Sequence, residues 1–118
     1  MTRLGINIDH VATLRNARGE LHPDPFFASK FVKKNGADSI TIHLREDRRH
    51  IKDEDAKRIC SIKNLLVNLE ISTKTEIVNN ALKINPPAKY IKLSRPLCSM
   101  TMLIAELLIV NANIATNE

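Results

Sequence analysis

The sequence predicts an α/β fold assembled from parallel βα units. Three short segments alternate apolar and polar residues, as half-buried strands do, and they cover residues 4–10, 40–45 and 65–70. Helix-like stretches separate the segments. A strand and a helix repeating at roughly 30 residues match the size of one βα unit and favour a parallel sheet.

The polar face of each predicted strand carries residues suited to acid–base or carbonyl chemistry. Successive strand side chains point to opposite faces, so Leu4, Ile6 and Ile8 share one face, and Asn7 and Asp9 the other. The same alternation places the polar residues of the next two strands on one face, and these residues are Thr41, His43, Arg45, Asn68 and Glu70. In (β/α) barrels the catalytic residues project from the C-terminal strand ends. We therefore expect Asp9, His43 and Glu70 to be neighbours around one mouth.

The first predicted helix follows Asp24 and Pro25, a favourable N-cap and first-turn pair. Gly36 supplies a stop signal. The expected apolar face contains Phe27, Ala28, Phe31 and Val32.

Two more helices and a fourth strand complete the predicted order. Asp53 can cap a helix that buries Ala56, Ile59 and Cys60. Thr73 and Glu76 have capping-box spacing before a helix whose apolar face is Ile77, Val78, Ala81 and Leu82. Two prolines, at positions 86 and 87, prevent that helix from continuing, and strand character returns at residues 90–93. The resulting pattern is β-α-β-α-β-α-β.

Chain length limits this fold to part of a barrel. A complete (β/α)₈ TIM barrel needs about 250 residues, whereas this chain has 118. Residues 1–95 can supply three βα units and the start of a fourth, the N-terminal half of a TIM-barrel-like domain.

A divergent apolar tail is expected at residues 96–118, where Glu106 and Glu118 are the only charged residues. A reading-frame disruption is the favoured origin of this tail, and a lineage-specific helix that covers the open sheet is the alternative. Its apolar run is shorter than the about 20 residues of a membrane span.

Five motifs give the chain a family resemblance. They occupy residues 7–19, 23–25, 36–38, 41–51 and 68–70. In order and spacing they resemble the pyridoxine 5′-phosphate synthase family, and the match extends over about residues 4 to 84. The resemblance implies a transferase of vitamin B6 biosynthesis, folded as a (β/α)₈ barrel. Such enzymes condense 3-amino-2-oxopropyl phosphate with 1-deoxy-D-xylulose 5-phosphate to give pyridoxine 5′-phosphate and phosphate.

The resemblance also implies a role for each site residue. His43 and Glu70 become the acid–base residues, which suits a ring closure with repeated proton transfers. Asn7 would hold the amino ketone, and Asp9 with His10 the hydroxyls of the deoxyxylulose chain. The phosphate-binding residues would be Arg18, in the first loop, and Arg45 and His50, in the second; Arg48 and Arg49 are expected to form loop ion pairs.

The family carries a second catalytic histidine and a Gly-rich phosphate grip in the half of the barrel that this sequence lacks. The chain is therefore interpreted as an impaired remnant with at most trace activity. The alternative is a non-catalytic phosphate-ligand-binding or scaffold half-barrel, and pairing with a second copy in a homo-oligomer remains open.

Composition and short motifs limit the classes of ligand and partner that the chain is expected to bind. The net charge of +5 suits phosphorylated small molecules as well as nucleic acid. Aromatic residues are scarce, whereas base stacking requires them along a basic surface, so nucleic acid is not expected. The two cysteines lack metal-ligand spacing, and no nucleotide-binding glycine loop or secretory signal is present, which predicts a cytoplasmic protein with neither cofactor nor membrane partner.

Overall fold

Strands and helices follow one another along the chain, with a further helix directly after the first strand. The structure is a computed structural model that describes residues 2–84 and 90–93. In order, its elements are β1 (Gly5–Asn7), α1 (Asp9–Arg18), α2 (Pro25–Lys34), β2 (Ser39–Leu44), α3 (Asp53–Cys60), β3 (Leu66–Ile71), α4 (Thr75–Ile84) and β4 (Tyr90–Leu93). The predicted α/β class and the predicted fourth strand are confirmed. The apolar tail and its boundary at residue 96 lie outside the described residues.

The four strands form one parallel sheet in the order β1-β2-β3-β4. Asn7 is in register with Thr41, which is in register with Asn68. One level further along the strands, His43 is in register with Glu70. Because residues in register in a parallel sheet share a face, the polar residues of the three strands form two adjacent rows.

The opposite face of the sheet carries the hydrophobic core. Ile40, Ile42 and Leu44 of β2 are fully buried, as are Val67 and Leu69 of β3. They pack with small and aliphatic residues of the helices, namely Ala12, Ala56, Ile59, Cys60, Ile77 and Ala81. The helices thus cover the apolar face, and the alternation expected for β2 and β3 is confirmed.

Helix α1 was not predicted, and it shortens the first predicted strand segment, which covered residues 4–10. The strand ends at Asn7 instead of continuing to His10, because the Asn7 side chain accepts a hydrogen bond from the Asp9 N–H (2.9 Å) and turns the backbone. Asp9 and His10 therefore open a helix, and Arg18 ends it instead of lying in a loop. Gly19 follows in the left-handed conformation with φ 66° and stops the helix.

Helix α2 begins as predicted but buries a different face. The Asp24 carboxylate accepts the Phe26 N–H at 2.8 Å, which confirms the cap. Phe27 and Phe31, however, are 58% and 68% exposed. The Arg58 guanidinium lies 4.5 Å from the centre of the Phe26 ring and pairs with Asp24, so α2 is held with Phe26 toward α3. The prediction that Phe27 and Phe31 lie on the buried face was wrong.

Two helix starts differ from the expected caps by one residue. The Lys52 carbonyl accepts the Ala56 N–H (3.0 Å), so Lys52 is the cap of α3 and Asp53 is its first residue. In the same way the Lys74 carbonyl accepts the Val78 N–H (3.0 Å), which makes Lys74 the cap of α4. The buried faces predicted for these helices are confirmed at Ala56, Ile59, Cys60, Ile77 and Ala81. None of the helices in the described part of the chain is long and apolar enough to cross a membrane.

Candidate active site at the carboxyl edge of the sheet

A turn between β1 and α1 ties the first strand end to the second. The Asn7 amide Nδ2 donates to Asp9 Oδ2 at 3.0 Å, and the His43 backbone N–H donates to Asp9 Oδ1 at 2.8 Å. Asp9 is 7% exposed. Its carboxylate therefore fixes the end of β2 beside the start of α1, and the expected proximity of Asp9 to His43 is confirmed.

His43 and Glu70 form the outer polar row of the sheet. They occupy register positions on neighbouring strands and are both half-buried. Below them, the Asn68 amide donates to the Thr41 hydroxyl at 3.3 Å. An imidazole and a carboxylate side by side on one face can exchange protons with a shared ligand.

His50 lies against the first turns of α1. Its Nδ1 is 2.6 Å from the Thr13 hydroxyl oxygen, and its ring meets the His10 ring edge to face, with centres 5.6 Å apart. Burial lowers the pKa of His50 below the usual histidine value, and the positive fields of Arg45 and Arg49 lower it further against the opposing charge of Asp9. His50 is consequently neutral near pH 7.

The loop between β2 and α3 is braced by its own ion pairs. The Arg48 guanidinium grips Asp53 with Nε–Oδ2 and Nη2–Oδ1 distances of 2.6 and 3.0 Å, and it also donates to the Arg45 carbonyl. Arg49 pairs with Asp47. These contacts confirm the expected loop ion pairs of Arg48 and Arg49.

Arg45 follows β2 directly and has spare hydrogen-bonding capacity. Its Nε is buried without a hydrogen-bond partner among the described residues, and Asp47 Oδ1 lies 3.7 Å away. The Ser72 hydroxyl, which follows the end of β3, is likewise buried without a partner in the described part of the chain. Such atoms are uncommon in folded proteins. Ser72 was missed at the level of sequence because a single serine after a strand has no distinctive pattern.

Two further residues that the sequence did not single out anchor α1 to α3 and to the loop before α3. Arg15 is buried and forms a two-pronged ion pair with Asp55 of α3, at 2.7 and 2.8 Å. The Asn16 amide donates to the backbone carbonyls of Arg49 (3.1 Å) and His50 (2.8 Å). Arg15 and Asn16 belong to the first motif, but without α1 nothing in the sequence showed which way they would face.

Arg18 is not brought into this group. It ends α1, nine residues after Asp9, so its Cα lies about 13 Å further along the helix axis. Its side chain is 57% exposed and lies 3.5 Å from Glu20. The structure therefore brings together Asn7, Asp9, His10, His43, Arg45, His50 and Glu70 at one edge, and leaves Arg18 at the far end of α1.

A cavity of about 450 Å³ lies between the end of α1 and the loop after β2. Its lining includes Arg48, Arg49 and Lys52, but none of the predicted site residues. Two of these cations are already paired with carboxylates. Within residues 2–84 and 90–93, no group of three or more His, Cys, Asp or Glu side chains is placed to hold a metal ion.

The model of the family described as pyridoxal phosphate biosynthesis protein PdxJ matches residues 4–92, and the chain belongs to this family. A pyridoxine 5′-phosphate synthase of Pelagibacter ubique is 63% identical over 86 residues, which are 73% of this chain and 36% of the relative. Those of Blochmanniella pennsylvanica and Rhodospirillum rubrum are 53% and 55% identical, over 70% and 73% of this chain and 34% of each relative. The matched part thus spans about a third of the length of these curated relatives, and the resemblance inferred from the motifs is confirmed.

Proposed function

We propose that residues 4–84 form one wall of a pyridoxine 5′-phosphate synthase active site. The observation that carries this proposal is the meeting of Asp9, His43, His50 and Glu70 at the carboxyl edge of a parallel sheet. The reaction is the condensation of 3-amino-2-oxopropyl phosphate with 1-deoxy-D-xylulose 5-phosphate. Parallel strands that alternate with helices packed on one face of the sheet are typical of barrels, so the sheet is proposed as the N-terminal part of a (β/α)₈ barrel.

The acid–base work is assigned to His43 and Glu70. Their register places an imidazole beside a carboxylate on the polar face. Histidine can give and take protons near neutral pH, and a partly enclosed carboxylate can serve as the base. The Asp9 contact with the His43 backbone fixes the position from which the imidazole works.

Substrate binding is assigned to the residues around this pair. The Arg45 side chain is 40% exposed, and its Nε has no hydrogen bond among the described residues beyond the 3.7 Å ion-pair contact with Asp47. This supports binding of an incoming phosphate, since guanidinium groups bind phosphate oxygens with two parallel hydrogen bonds. His50 and Arg45 are proposed to bind the deoxyxylulose phosphate, Asn7 the amino ketone, and Asp9 with His10 the deoxyxylulose hydroxyls. Arg18 stays a proposed ligand of the amino ketone or its phosphate, and this role would require its side chain to leave Glu20 at the far end of α1.

A calorimetric titration with 1-deoxy-D-xylulose 5-phosphate tests the proposed role of Arg45 in substrate binding. We expect Arg45→Met to weaken binding at least 10-fold, because a charge-assisted phosphate contact contributes about 1.5–3 kcal/mol. Arg49→Met is the matched control, since its guanidinium is exposed and already paired with Asp47. Equal losses in the two variants would overturn the assignment.

Turnover is tested by incubating the chain with both substrates and measuring product and phosphate release. We expect at most trace turnover, because catalytic groups act as a unit and the residues here form one wall. Any trace should vanish in His43→Ala and Glu70→Ala. Turnover unaffected by either substitution would contradict their role.

A non-catalytic scaffold module is the second candidate. It would explain the folded half-sheet but needs no imidazole beside a carboxylate at the sheet edge. The relatives that the chain matches are named as synthases, which favours the enzyme.

A further inference from the structure

The Thr13 hydroxyl is shared between two contacts, one to His50 and one to the backbone of its own helix. The Thr13 hydroxyl lies 3.1 Å from the Asp9 backbone carbonyl and 2.6 Å from His50 Nδ1. A carbonyl oxygen can only accept, and the Thr13 hydroxyl has a single proton. Both contacts are therefore hydrogen bonds at the same time only when the hydroxyl donates to Asp9 and its oxygen accepts a proton carried by His50 Nδ1.

We propose that Thr13 is a positioning residue that holds His50 in its Nδ1–H tautomer and so leaves Nε2 as the ring atom that is free to accept a proton when a ligand binds. The two ring nitrogens lie on opposite sides of the imidazole, so a ring bound to Thr13 through Nδ1 turns Nε2 away from α1. The Asn16 amide, which binds the His50 carbonyl at 2.8 Å, holds the backbone of the same residue. α1 therefore fixes both the position of His50 and the nitrogen that it offers.

This tautomer has a consequence for phosphate binding. A neutral His50 offers a lone pair at Nε2, which cannot donate to a phosphate dianion. The charged groups around it are Asp9, Arg45 and Arg49, with His10 beside the ring. Arrival of a dianion favours the protonated ring, so Nε2 takes a proton from solvent and becomes a donor. Binding is thus accompanied by proton uptake between the pKa of His50 in the free protein and its higher pKa in the complex. The uptake fades below the first value, where the ring is already charged, and above the second, where it stays neutral. This consequence rests on the proposed function, whereas the tautomer does not.

The tautomer is tested by long-range ¹H–¹⁵N correlation spectra of the full chain at pH 8, with His50→Gln to assign the signals. We expect a pyrrole-type nitrogen shift for Nδ1 and a pyridine-type shift for Nε2. Thr13→Ser, which keeps the hydroxyl, should preserve this pattern, and Thr13→Val should move His50 toward the Nε2–H form. A wild-type spectrum with the proton on Nε2 overturns the inference without reference to any variant. An unchanged pattern in Thr13→Val would also overturn it.

Proton uptake is tested by titrating 1-deoxy-D-xylulose 5-phosphate at pH 7.5 in two buffers of different ionisation enthalpy. We expect an uptake of up to one proton per ligand, lost in His50→Gln. Binding without uptake overturns the coupling. The absence of any binding overturns the proposed function and the coupling together, while the spectra still decide the tautomer.

Discussion

At the scale of single residues, the Arg15–Asp55 pair is a buried contact that joins α1 to α3. Both side chains are more than nine-tenths buried, and Asp55 also accepts the Lys52 N–H at 2.9 Å. Burial opposes the ionisation of Asp55, but the hydrogen bonds from Arg15 and Lys52 outweigh it and hold the pKa of this carboxyl below its usual value. Both groups are therefore charged, and each depends on the other.

Removing one partner of this pair should destabilise the folded protein. We expect Arg15→Met to lower the free energy of unfolding by about 3–5 kcal/mol, because Asp55 is left as a buried unpaired charge. Urea denaturation followed by circular dichroism measures the change. The matched control is Arg18→Met on the same helix, where the exposed pair with Glu20 is worth less than about 1 kcal/mol. Equal losses for the two variants would show that the buried pair is not what anchors α1.

At the scale of elements, α1 shows most clearly what could and could not be predicted from the sequence. β2 and β3 were predictable because alternation leaves one register that buries Ile40, Ile42, Val67 and Leu69. The first segment also alternates as far as Asp9, and that local pattern concealed a turn made by the Asn7 side chain. The available signals for α1 were Asp9 in its first turn, basic residues in its last turn and Gly19 after it.

The site was predictable to the same degree and for the same reason. Strand parity together with the expected parallel order of the strands placed His43 beside Glu70, which the register confirms. Thr13, Arg15 and Asn16 could not be assigned because their contacts depend on where a helix packs, over sequence separations that local patterns do not encode. The exposure of Phe27 and Phe31 has the same origin, since helical spacing identifies a face but not the neighbour that covers it.

The end of α1 offers a test of this element by itself. Gly19 has φ 66°, and a Cβ added there would meet no atom within 4 Å. We expect Gly19→Ala to destabilise the fold by about 1–2 kcal/mol through backbone strain alone. Gly19→Asn should lose less, because asparagine adopts the left-handed conformation more readily than alanine. Thermal unfolding of the three proteins measures the order, and an alanine variant as stable as the parent would contradict the cap.

At the scale of the whole molecule, one face of the sheet packs into the hydrophobic core and the other carries the candidate site residues. The helix-covered face holds the aliphatic core, and the opposite face carries Asn7, Thr41, His43, Asn68 and Glu70. Polar residues at adjacent register positions on three strands form a continuous surface. We propose that this polar surface of the chain is the wall of the active site that binds the substrates.

The most direct test of that proposal is a map of backbone amide chemical shifts during titration of the full chain with 1-deoxy-D-xylulose 5-phosphate. We expect saturable changes concentrated at residues 7–10, 43–50 and 70–72, with Arg45 and His50 among the largest, and with inorganic phosphate reproducing only those in the loop after β2. Saturable changes confined to the cavity near Gly19 and Leu21, or no change at millimolar ligand, would contradict the assignment of the carboxyl edge of the sheet as the substrate site.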